Sequence, residues 1–131
     1  MRARSEKQRR PFTTTTARAI FSYSIVIKSM NYMEEKLQRI KDIVEEELSC
    51  SAHNIEHVMR VYNLCLSLAK DEPKIDLFIL KTSALLHDIA RVKEDEDDTG
   101  MTDHAVLGAE MAGKILTNLG YTSEQIVKIK H

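Results

Sequence analysis

The sequence predicts an all-helical domain of about five helices. Only four Gly and two Pro occur in 131 residues, too few for the many turns an all-β fold requires. Apolar residues recur at three- and four-residue steps over most of the chain. The balance of 43% apolar, 5% aromatic and 30% charged residues is that of a soluble globular domain, and no run approaches the ~18 apolar residues of a membrane span.

The net charge of -1 is a cancellation. Up to Tyr32 seven basic residues stand against Glu6, a net of +6, so the remainder carries -7. Residues 1–30, with a basic start, the tract Thr13 to Thr16 and an apolar patch from Ala19 to Ile27, have the composition of a targeting segment or a disordered extension. They are read as loosely attached to a helical domain at 31–131. A basic arm can also bind phosphates, but aromatic interleaving is missing and nucleic acid is not expected as a partner. Cys50 and Cys65 lack C-x-x-C spacing and read as reduced thiols, which predicts a cytoplasmic location.

From Asn31, the positions Met33, Leu37, Ile40, Val44 and Leu48 line one face of a first helix, with Glu34, Glu35, Gln38, Lys41 and Glu45 toward water. A second helix at about 53–70 places His57, Val61, Leu64 and Leu68 in its inward stripe, with His53 one turn earlier. Asp71 and Pro73 read as the start of a third helix. It runs through Ile75, Phe78, Ile79, Leu85, Leu86 and Ile89, apolar nearly all round, with His87 and Asp88 near its end. Lys93 to Gly100 reads as a polar loop, without the spacing of a calcium loop. A fourth helix starts near Thr102 or Asp103, presents His104, Leu107, Met111 and Ile115 inward, and stops at Gly120. Thr122 to Gln125 has the form of a capping box opening a fifth helix with Ile126 and Ile129.

His57, His87 and His104 thus fall on the inward stripes of three helices, and Asp88 follows His87 directly. Any one such histidine reads equally as a hydrogen-bonded core residue. Together with an inward Asp, they form the kind of group from which helical bundles build metal sites.

The strings His53-Asn-Ile-Glu-His57-Val-Met-Arg60-Val, Ser83-Ala-Leu-Leu-His87-Asp88-Ile-Ala-Arg91 and Asp103-His104-Ala-Val-Leu-Gly108-Ala-Glu110 resemble, in order and spacing, the HD-domain family of metal-dependent phosphohydrolases. The similarity covers about residues 33 to 131. It implies an HD-domain-like bundle in which His57, His87 and Asp88 ligate a divalent metal (Mn, Fe, Ni, Zn or Mg), completed in the family by an Asp from a later helix. It implies that His87, Asp88 and His104 serve catalysis, with His104 lining the cleft and His53 at its rim. Arg60 and Arg91, with Lys93 as a weaker candidate, would grip the phosphate of a phosphorylated small molecule or nucleotide. The family continues beyond the Val127 to His131 region with that further ligand, so the bundle is expected to be incomplete at its C-terminus, His131 not replacing the missing residue, and activity impaired. The alternative is a non-catalytic helical interaction module that retains the fold and buries exposed faces in a partner or a homo-oligomer.

Overall fold

The computed structural model describes residues 14–49 and 54–130, with side chains from Arg18 onward. His53, Cys50 and His131 lie outside them. The described residues form six α-helices, α1 (Thr14–Glu47), α2 (Ile55–Leu68), α3 (Leu77–Leu86), α4 (Arg91–Asp95), α5 (His104–Asn118) and α6 (Ser123–Lys130), with a 3₁₀ turn at Ala69–Asp71. Five of these are the expected elements, so the all-α class stands. The addition is α4, which occupies the first part of the expected loop. The chain divides into two compact units, Met1–Tyr32 and Met33–His131. Among the described residues no helix is long and apolar enough to cross a membrane.

In the first unit, residues 18–32 are helical and exposed. The helix starts at Thr14 rather than at the expected Asn31. No Gly or Pro interrupts the chain between Phe12 and Glu47, so nothing in the local sequence breaks it.

The second unit is built around Leu37, Ile40, Val44, Leu48, Val58, Phe78, Leu85, Leu86, Ile89, Ala112, Leu116 and Tyr121. The α1 stripe is the expected one from Leu37 onward, whereas Met33 is 36% exposed. On α2 the inward face is not the expected one. Val58 is buried and Ile55, Met59 and Tyr62 pack beside it, while Leu64 and Leu68 face water. Nine of the fourteen residues of α2 are apolar, so spacing within the helix does not select a face and the packing partner does. The same one-residue offset occurs on α5, where Gly108, Ala112 and Leu116 are buried and His104, Leu107, Met111 and Ile115 are half-buried. Gly108 faces the end of the turn that follows α3. A Cβ on Gly108 would meet Ala90 Cβ and Ile89 Cγ2, each at 3.8 Å.

Helix ends follow side-chain chemistry. The start of α3 is Asp76, not Asp71 or Pro73. Its carboxylate accepts from the Phe78 and Ile79 amides at 3.0 and 3.1 Å. Asp71 instead closes the 3₁₀ turn, and Ile75 remains exposed. At the other end, α3 stops at Leu86, three residues before Ile89, and the chain turns through His87–Ala90. Asp103 caps α5 through the Ala105 amide at 2.8 Å. Gly120, at φ +69°, ends it, with Tyr121 N–H to Leu116 O and Gly120 N–H to Thr117 O, both 3.0 Å. This pair of bonds is the Schellman arrangement. The capping box then forms, Thr122 N–H to Gln125 Oε1 at 2.9 Å and Gln125 N–H to Thr122 Oγ1 at 3.2 Å.

Candidate metal centre

Asn54 starts α2, its side chain accepting from the amide of His57 at 3.3 Å, and so sets His57 in the first turn of that helix. The turn after α3 places His87 and Asp88 beside it. The buried Ile89 and Ala90 pin that turn from below, and its amides are closed by Ile89 N–H to Leu86 O (3.1 Å) and Arg91 N–H to Asp88 O (3.0 Å). One ligand atom each from His57, His87 and Asp88 lies within 4.8 Å of the others. Asp88 is buried, and its Oδ2 stands 3.5 Å from His57 Nε2 and 3.3 Å from His87 Nε2. The imidazoles are tilted at 45°, with centroids 5.6 Å apart.

The tautomer of His87 follows from its other nitrogen. Nδ1 lies 2.8 Å from the carbonyl oxygen of Ala84, which can only accept, so Nδ1 carries the proton. With Nδ1 so engaged, Nε2 is the nitrogen of His87 that faces the Asp88 carboxylate, 3.3 Å away, and a cation between the two would be held by both. A backbone carbonyl orienting a ligating imidazole is the usual outer shell of a metal site. The donor set fits a divalent ion, and its mixture of nitrogen and oxygen does not choose among Mn, Fe, Ni, Zn and Mg.

His104 stands outside this group of three. It opens α5, half-buried, one turn before Gly108 and on the same face, and Gly108 rests on the Ile89–Ala90 end of the turn that carries His87 and Asp88. Its Nδ1 is 3.0 Å from the Glu94 carboxylate, which also receives the His104 amide at 3.4 Å and the guanidinium of Arg91. The His104 hydrogen bond is the main reason the Glu94 carboxyl is held below its usual range. Arg91 is thereby turned to Glu94, and its Nε is buried with no hydrogen-bond partner. Arg60 is exposed. Lys93 pairs with Glu47 at 3.5 Å between two exposed side chains. A recess of about 260 Å³ lies between α3, α5 and α6, with His87, Ser83, Gly108, Ile129 and Lys130 on its wall.

The sequence model of the HD domain matches residues 54–131, more than half of the chain and all of the candidate centre at His57, His87 and Asp88. The chain belongs to the HD domain family. No curated protein and no solved structure matches it. Within this HD domain, Glu94 falls in the stretch from Lys93 to Gly100 that the sequence presents as a polar loop, so its contacts were not expected. Its i,i+3 relation to Arg91 was the available signal, and it has meaning only once residues 91–95 are helical.

Proposed function

We propose that this chain is a metal-dependent phosphohydrolase acting on a phosphorylated small molecule or nucleotide, with His57, His87 and Asp88 as the protein ligands. One observation carries the reading: the three ligand atoms lie within 4.8 Å of one another in an HD domain, with His87 Nε2 facing the Asp88 carboxylate. A bound divalent ion supplies Lewis acidity to a phosphoryl oxygen and a lowered pKa to water. The chain's own residues do the rest. Asp88, buried and directly followed by the pinned Ile89–Ala90 segment, keeps a fixed carboxylate at the centre. Ala84 O keeps His87 in one tautomer. His104 offers a proton-exchanging side chain on the neighbouring helix, and Arg60 and Arg91 offer positive charge for phosphate, Arg91 through the part of its guanidinium that Glu94 does not take. Waters or further donors fill the remaining coordination positions. We take residues 1–30 as an extension to the domain at 31–131, and the location as cytoplasmic.

The test is metal uptake by calorimetry together with hydrolysis of p-nitrophenyl phosphate in Mn²⁺, for wild type and Asp88→Ala. Uptake and turnover that both vanish in the variant support the reading. A wild-type chain that takes up no divalent ion sinks it.

A second reading, a non-catalytic interaction module, is favoured by a different observation. Phe21, Tyr23, Ile25, Val26 and Met30 are each more than half exposed on α1. Light scattering that returns a monomer at all concentrations counts against this reading.

A further inference from the structure

We propose that Glu94 is a positioning residue for His104: it holds the proton on Nδ1 and so leaves Nε2 as the nitrogen that exchanges a proton. The inference rests on the phosphohydrolase reading for its chemical use and on this structure for its geometry.

The carboxylate of Glu94 can only accept, so His104 Nδ1, 3.0 Å away, is the donor. The same carboxylate receives the His104 backbone amide, which fixes it against the first turn of α5 and leaves it one orientation toward the ring. Arg91, three residues earlier on α4, binds it from the other side. Glu94 therefore has an anchor on α4 and two bonds to His104, more than a solvated helix-end acid would make. Its carboxyl being held in the ionised range follows from these contacts.

The location makes this more than a staple between helices. Arg91 opens α4 three residues after Asp88, and Gly108, one turn beyond His104, lies against Ile89 and Ala90. Both members of the pair are thus tied to the turn that carries two of the metal ligands. An imidazole held through Nδ1 by a carboxylate is the orienting arrangement of acid–base catalysis, because the carboxylate selects the tautomer and stabilises the imidazolium that forms. In ester hydrolysis Nε2 takes a proton from the attacking water as the new P–O bond forms. It returns that proton to the leaving oxygen as the old P–O bond breaks, and the imidazole ends neutral.

The test is made on the metal-free full chain and on the Mn²⁺-loaded chain. In the metal-free chain, ¹⁵N-labelled imidazole spectra report which nitrogen of His104 bears the proton. Wild type should show Nδ1–H with a lone pair on Nε2. Glu94→Gln, whose amide can donate to Nδ1 while its oxygen keeps Arg91, should shift the proton toward Nε2 with the backbone amide spectrum otherwise retained. In the loaded chain, Glu94→Gln should lower kcat on p-nitrophenyl phosphate by about 10²-fold with KM little changed. Adding it to His104→Gln should cost nothing further. A wild-type His104 with its proton on Nε2, a tautomer unmoved by Glu94→Gln, or an unchanged kcat in that variant overturns the assignment. If wild type neither takes up Mn²⁺ nor cleaves the ester, the function reading fails by itself, and the tautomer measurement still decides whether Glu94 positions His104.

Discussion

The hydroxyl of Tyr121 donates to Thr82 Oγ1 across 3.1 Å of buried core. The direction follows from Thr82, whose own proton goes to Phe78 O at 2.9 Å. Tyr121 also stacks on Phe78 at 5.1 Å, and the Lys36 ammonium sits 4.7 Å from its ring while donating to Gly120 O. Tyr121, three residues past the end of α5, thereby ties α1, α3 and α5 together. Burial pushes its phenol above the usual value. Thr82→Val should strand the hydroxyl and cost about 1–3 kcal/mol, whereas Tyr121→Phe removes the donor and should cost only about 0.5–1.5 kcal/mol. Urea denaturation of both singles and the double variant checks this. The double should cost less than the sum, and strict additivity would refute the coupling.

Two glycines should respond in opposite ways to the same substitution. Gly120 sits at φ +69°, where a side chain is strained, and Gly120→Ala should destabilise by about 1–2 kcal/mol. Gly108 is inside α5, and its added Cβ would find only ordinary contacts at 3.8 Å. Gly108→Ala should therefore be neutral or gain up to about 1 kcal/mol of helix propensity. Paired melting curves decide. A Gly108→Ala loss as large as that of Gly120→Ala would mean that the α5 approach to Ile89 and Ala90 is tighter than described.

The segment between α4 and α5 should loosen in acid through Asp97. Its carboxylate accepts from the Thr102 amide at 2.7 Å, the Thr99 amide at 2.9 Å and the Met101 amide at 3.1 Å. These bonds, that of Thr102 foremost, hold the carboxyl far below its usual range. A depressed folded-state pKa stabilises fully above the unfolded value of about 3.9 and less as pH falls below it. Amide exchange at Thr99, Met101 and Thr102 should show protection that is flat from neutral pH to about 5 and declines from about 4 downward. In Asp97→Asn the extra protection should be missing at every pH. Equal protection in that variant would show that the charge does not organise the loop.

The grouping of His57, His87 and Asp88 was open to a sequence reading because part of its information is local: His87-Asp88 is a dipeptide at a helix end, and His57 lies in the first turn of the next helix back. The five long helices and the Gly120 and Thr122–Gln125 signals were legible for the same reason. Which face of α2 and α5 turns inward was not. On α2 an apolar residue stands at most positions, and on α5 the buried line runs through Gly108 and Ala112, whose small side chains carry little hydrophobic signal. Asp71 and Asp76 compete as caps, and only the turn through Pro73 and Ile75 decides between them. Glu94 was hidden because Arg91 meets it only once residues 91–95 are helical, and His104 only after α4 and α5 pack.

Metal should act on stability as well as on chemistry. An ion that binds the folded chain alone, at about a hundred times its dissociation constant, adds about 2.7 kcal/mol, which for a domain of this size is a rise in Tm of roughly 10 to 20 °C. His57→Gln and His87→Gln each remove one ligand from the group within 4.8 Å, and each should abolish most of that rise while leaving the metal-free Tm nearly unchanged, because both rings are partly exposed. Arg60→Gln, on an exposed side chain outside the group, should keep the full rise. Protons compete with the ion for the imidazole nitrogens, so the shift should shrink as pH falls. Scanning calorimetry with Mn²⁺, Zn²⁺ and a chelator reads all of these. Equal shifts in wild type and both histidine variants would place the ion elsewhere, and His57, His87 and Asp88 would then be a hydrogen-bonded cluster of the core.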